Sequence, residues 1–134
     1  MGLKLKQIVD KQPPYIINKS NGLKISKYKI SSSKKSGFPA VTAHVRDPES
    51  DCDGHDCRIV VVETPKKETP DLQTGWVKIS CTCEFFKFYC EYALSKWGAA
   101  NIRHSNGQPA TTTNPSNYPL MCKHCLALAK RVLK

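Results

Sequence analysis

Three runs of apolar and β-branched residues occupy the middle of the chain, each bounded by turn-forming residues. Ala40-Val-Thr-Ala-His-Val45 predicts a strand, with Pro39 at its start, where a missing N–H is tolerated. Cys57-Arg-Ile-Val-Val-Val-Glu63 is β-branched and continuous and gives the strongest strand signal. Thr74-Gly-Trp-Val-Lys-Ile-Ser80 predicts a third, with Trp76, Val77 and Ile79 available for packing. Turn-rich segments separate the three, so an antiparallel meander is the economical arrangement.

Helical spacing follows. Glu84 to Trp97 predicts a helix ended by Gly98, with Phe85, Phe88, Tyr89, Tyr92 and Trp97 on one side as the helical half of the core. Cys90, inside it, reads as a small buried residue. A last helix opens at Cys122-Lys-His124 and runs through Leu133. It turns Cys125, Leu128, Ala129 and Val132 inward, and Lys123, Lys130, Arg131 and Lys134 towards water. The expected fold is α+β: a small antiparallel meander packed on two helices, over residues 37–134.

Residues 1–36 predict an extended basic arm. Pro13-Pro14 breaks any helix begun at Leu3, Asn18 to Gly22 has turn chemistry, and Leu23 to Ile30 alternates weakly like an edge strand. Ser31 to Gly37 has linker composition. Tyr15, Ile16, Ile17 and Ile30 are more apolar than a solvated tail requires, which points to a strap that docks on a neighbour. Trimming residues 1–20 is then expected to leave the domain folded. Residues 98–119, rich in Asn, Pro and Thr, form a long irregular loop with a turn at Ser105-Asn-Gly107. A loop of that length is expected to be functional or pinned by partners, and His104 within it to be a surface residue.

Charge sharpens this picture. The net charge is +10, arranged as +8 over residues 1–36, −4 over 37–72 and +6 over 73–134. Basic poles around an acidic middle favour an anionic partner, either nucleic acid or an acidic protein surface. No apolar run approaches the roughly 18–20 residues of a membrane span. Met1 to Lys6 lacks the apolar stretch of a signal peptide, and Lys6 stands where a myristoylation motif wants Ser or Thr.

Seven cysteines carry the candidate chemistry. An odd count and the Cys81-Thr-Cys83 spacing argue for metal in a reducing compartment rather than for a disulfide scaffold. Cys81 and Cys83 at a strand end can grip an ion from one side, and Cys122 at a helix start from the other. Zn²⁺ favours such soft S/N donors in fourfold geometry. Spacing alone leaves the fourth ligand open between His124 and Cys125. The acidic loop from Asp47 to Asp56 holds Cys52 and His55, with Cys57 just beyond. An EF-hand reading of Glu49, Asp51, Asp53 and Gly54 fails because Val60 stands where a bidentate Glu is needed. A second metal site and a Cys52–Cys57 bridge are alternatives there, and a solvated hairpin tip is the expectation. His44, on a strand, is expected to be a packed or surface histidine.

The spacing C-x-C … C-x-H resembles the SWIM-type zinc-binding motif. That resemblance implies a ββα unit, selects His124 to complete the set Cys81, Cys83, Cys122 and His124, and implies DNA binding or protein–protein contact rather than enzymatic activity. Ser80-Cys-Thr-Cys-Glu-Phe-Phe-Lys, Glu91-Tyr-Ala-Leu, Ser105-Asn-Gly, Thr113-Asn-Pro and Cys122-Lys-His also resemble small SWIM-like proteins of tailed bacteriophages. This implies a virion component, assembled in the host cytoplasm, in the tail, baseplate or neck.

Two functions are therefore expected to compete. One is a non-enzymatic, zinc-stapled structural protein contacting other virion proteins through the basic arm and the 98–119 loop. The other is nucleic-acid binding through Lys123, Lys130, Arg131 and the N-terminal lysines. Four protein ligands would leave no open position for water or substrate, and no catalytic constellation is visible, so an enzyme is not expected.

Overall fold

The computed structural model describes residues 3–32, 38–49, 53–63, 72–73, 75–101 and 118–133. Its strands are β1 (Leu3–Lys4), β2 (Lys24–Ser32), β3 (Pro39–Arg46), β4 (His55–Glu63) and β5 (Trp76–Cys81). They form one antiparallel sheet in the order β1-β5-β4-β3-β2, so β2 to β5 are the meander and β1 borders its last strand.

Alternation decides which face is buried. Val77, Ile79 and Cys81 point inward from β5, Cys57, Ile59 and Val61 from β4, and Val41, Ala43 and Val45 from β3. The register sets these residues in rows across the sheet: Val41–Ile59–Ile79 and Ala43–Cys57–Cys81. A one-residue slip would turn every one of them to water. The outer strand β2 is mostly exposed and carries Lys24, Lys27 and Lys29. Lys27 takes a positive φ of 54° where the pairing with β3 shifts register. Lysines and a bulge together keep this open edge from recruiting another strand.

Helix α4 (Lys123–Val132) lies across the inner face of β3, β4 and β5. Six consecutive residues, His124 to Ala129, are buried, because the helix is covered on both sides. The second cover comes from the N-terminal segment, which corrects the expectation of an extended arm. Residues 3–32 supply β1, helix α1 (Leu5–Asp10), helix α2 (Pro14–Ser20) and β2 to the same structure. The proline pair does divide the helices: α1 ends before Pro13, and Pro14 takes the first turn of α2, where its missing N–H costs nothing. Leu5, Ile8 and Ile16 are each at most 2% exposed, and α1 and α2 both pack on α4. Burying three such side chains is worth about 1.5–3 kcal/mol each. That gain offsets part of the entropy lost in ordering the segment.

The expected helix over 84–97 is divided. Phe86–Cys90 forms a π-helical turn, and Glu91–Lys96 continues as helix α3. Its core contact also differs from the expected aromatic stripe: Phe86, Cys90, Ala93 and Leu94 are buried. Phe85 and Tyr89 are half-buried and stack on each other with centroids 4.5 Å apart, and the Phe88 side chain lies outside the described set. Gly98, at φ 75°, ends α3 in a Schellman motif: Ala99 N–H donates to Leu94 O at 2.8 Å, and Gly98 N–H to Ser95 O at 3.1 Å. The Ala99 carbonyl then accepts from Ile79 N–H at 2.8 Å, fastening the helix end to the edge of β5. Of the long loop, residues 102–117, including His104, lie outside the described residues.

Candidate metal centre

Two chain segments meet at the end of β5. One is Cys81-Thr-Cys83, continuing the inward alternation of the strand; the other is Cys122-Lys-His124, opening α4. The ligand atoms of Cys81, Cys83, Cys122 and His124 all lie within 4.8 Å of one another, and all four side chains are buried. Tetrahedral zinc with Zn–S near 2.3 Å requires sulfur atoms about 3.8 Å apart. Small side-chain adjustments bring this set onto one centre.

Local backbone chemistry prepares the sulfurs. Cys122 is the N-cap of α4, and its sulfur accepts the Cys125 N–H at 3.3 Å. Cys83 repeats the arrangement at the next helical segment, accepting Phe86 N–H at 3.4 Å. A helix start offers unpaired N–H groups and a positive dipole end, both of which favour a thiolate. Hydrogen bonds from Cys122, Cys125, Cys57 and Cys83 pull Cys81 far below the usual thiol range, against burial. Burial opposes the ionisation of Cys122, but hydrogen bonds from Cys125 and Cys83 help to bring it below an ordinary thiol. Burial also works against charge on His124. The sulfurs of Cys122 and Cys81 beside it prevail and raise its pKa to about 9. Cys83 moves the other way from Cys81 and Cys122: its hydrogen bonds to them, with Cys122 first, then burial, push its thiol well above the ordinary range, so its proton leaves only as a metal binds. His124 Nδ1 is buried without a hydrogen-bond partner among the described residues. Donor type, number, spacing and burial fit a zinc ion.

Sequence reasoning missed part of this centre. Cys57, expected at a solvated hairpin tip, is 2% exposed and sits opposite Cys81 across the β4–β5 pair. Thr82 N–H donates to Asp56 O, so the Cys57–Cys81 pair is a non-hydrogen-bonded one, in which side chains approach most closely. The two sulfurs are 3.4 Å apart. Cys125 is fully buried and joins Cys57 and Cys81 in a second group with ligand atoms within 4.8 Å of one another. Alternation held the signal for Cys57: Ile59 and Val61 face inward, so Cys57 does too. Cys52 lies outside the described residues. His55 is half-buried, with its ring 4.9 Å from that of His124 and its Nδ1 3.2 Å from Thr82 Oγ1. Burial, then the neighbouring His124, lowers its pKa and keeps it neutral.

Of the cations in the alternative nucleic-acid reading, the three on α4 each have a partner within the chain. Lys123 pairs with Asp47 at 2.7 Å, Lys130 Nζ donates to Asn21 Oδ1 at 2.9 Å, and Arg131 lies over the Tyr28 ring at 4.3 Å. His44 is held at both nitrogens, by Asp56 at 2.9 Å and the Asp53 carbonyl at 2.7 Å. No helix among the described residues is long and apolar enough to cross a membrane. Compared with known proteins, the chain matches no family model, no curated protein and no solved structure.

Proposed function

We propose that this chain is a zinc-stapled structural protein that acts through contacts with neighbouring proteins, as a component of a phage virion in its tail, baseplate or neck. The observation that carries the reading is the buried four-donor cluster joining the end of β5 to the start of α4. Three sulfurs and one nitrogen fill zinc's tetrahedral preference, the pattern of structural rather than catalytic sites. A core of this size gains much from such a tie.

Contact with partners is supported by apolar side chains left at the surface: Tyr15 and Ile17 on α2, and Ile30 on β2. Tyr15 and Phe85 also line a cleft of ≈ 250 Å³ beside Cys83, Cys122 and His124. The virion assignment rests on the resemblance of the segments around residues 80–87, 91–94 and 122–124 to SWIM-like phage proteins. The internal partners of Lys123, Lys130 and Arg131 favour protein contact over phosphate binding.

Mass spectrometry of purified particles, together with DNA binding by the full chain in solution, tests this reading. The expected result is the chain present as a particle component, with no salt-sensitive affinity for DNA. Its absence from particles, or DNA affinity falling by orders of magnitude between ~50 and ~200 mM salt, would overturn it.

A further inference from the structure

The group Cys57, Cys81 and Cys125 is not explained by the four-donor site. Its sulfurs come from three different elements, β4, β5 and α4, and converge within 4.8 Å of one another. All three side chains are at most 2% exposed. Burial alone does not produce such convergence, since Cys90 is also fully buried and belongs to neither group.

We propose that the core holds a second thiophilic metal ion, bound by Cys57, Cys81 and Cys125, with the Cys81 sulfur bridging it to the first ion. The inference rests on the zinc site proposed above, because the bridge requires an ion on each side. A thiolate sulfur has lone pairs enough for two metals, and Cys81 is the one member common to both groups. The Cys57–Cys81 separation of 3.4 Å is close to the roughly 3.8 Å edge of a tetrahedral sulfur site. The Ser80 carbonyl, 3.6 Å from Cys125 Sγ, is the nearby candidate for a fourth donor.

A second ion is neutral in charge: one divalent ion with three thiolates and a neutral imidazole leaves −1 in the core, and the two thiolates that Cys57 and Cys125 become on losing their protons balance a second divalent ion. Binding proceeds with loss of the thiol protons of Cys57 and Cys125 to solvent as two metal–sulfur bonds form. Soft, filled-shell ions suit the site, with zinc the commonest and cadmium a faithful probe.

The test is reconstitution of the full chain with ¹¹³Cd²⁺ under anaerobic conditions, read by metal content and by ¹¹³Cd NMR. The expected result is two ions per chain and two resonances of sulfur-rich sites, coupled to each other through the shared sulfur. The double variant Cys57→Ser, Cys125→Ser should fall to one ion and one resonance. One ion and one resonance in the unaltered chain overturns the second site and leaves the first standing. No bound ion overturns both. Two uncoupled resonances overturn the bridge.

Discussion

The side chain of Gln12 accepts the backbone N–H of Met121 at 2.8 Å, although the two residues are 109 positions apart. Its amide nitrogen donates to Pro119 O at 2.9 Å and to Ile8 O at 2.8 Å. One buried glutamine thus joins the end of α1 to the segment that delivers Cys122 to the metal centre. The Tyr118 hydroxyl donates to the Lys11 carbonyl and reinforces the same junction.

Gln12→Ala should therefore destabilise the fold by at least about 2 kcal/mol, because it strands a buried donor and buried acceptors. Urea unfolding of the metal-loaded chain is the check. An unchanged midpoint would mean that the junction is held by packing alone.

Removing residues 1–20 should unfold the protein rather than free it of a tail. The deletion removes Leu5, Ile8 and Ile16 from the core, at about 1.5–3 kcal/mol for each side chain, and uncovers α4. Circular dichroism and amide dispersion in NMR spectra of the truncated chain read the outcome directly.

Among the cysteines, position should matter more than burial. Cys83→Ser removes a donor from the four-residue cluster and should release the metal. Structural zinc contributes about 10–16 kcal/mol in small domains, comparable with or larger than the ~5–15 kcal/mol stability of most domains. That loss should unfold the chain. Cys90→Ala, in the core but outside both groups, should cost only a small cavity and leave the metal content unchanged. Metal analysis of the two purified variants distinguishes them.

His44 gives the surface a pH dependence of known sign. The hydrogen bond that His44 donates to the Asp56 carboxylate, then that to the Asp53 carbonyl, raises its pKa above 6.5. Gly54 permits the close approach: at φ 110° it would place an added Cβ 2.6 Å from His44 Nε2. Because the folded pKa exceeds the unfolded one, the stabilisation is complete below about pH 6.5 and is lost as pH rises through the folded value. The stability difference between the unaltered chain and His44→Gln should be larger near about pH 5.5 than near about pH 8.5. Denaturant titrations at the two pH values test this, and metal-linked effects common to both chains cancel.

The meander was legible because each strand alternates or runs β-branched between turn residues, and the last helix because its apolar spacing begins just after Cys122. The N-terminal helices were obscured by their lysines. Leu5 and Ile8 have helical spacing, but their burial depends on α4, which is more than 100 residues away. The division of the 84–97 helix at Phe86–Cys90 leaves no local mark, since π and α turns draw on the same residues. Cys81, Cys83 and Cys122 were visible from close spacing, whereas Cys57 enters only through cross-strand register, which a linear reading does not show.

A single ion that binds the end of the sheet to the last helix is what the remaining features depend on. Zinc-edge X-ray absorption of the purified full chain tests it most directly. The account predicts a shell averaging three sulfurs at about 2.3 Å and one lighter donor at about 2.0–2.1 Å per zinc. A shell of oxygen and nitrogen alone, or a protein that carries no zinc, would contradict it.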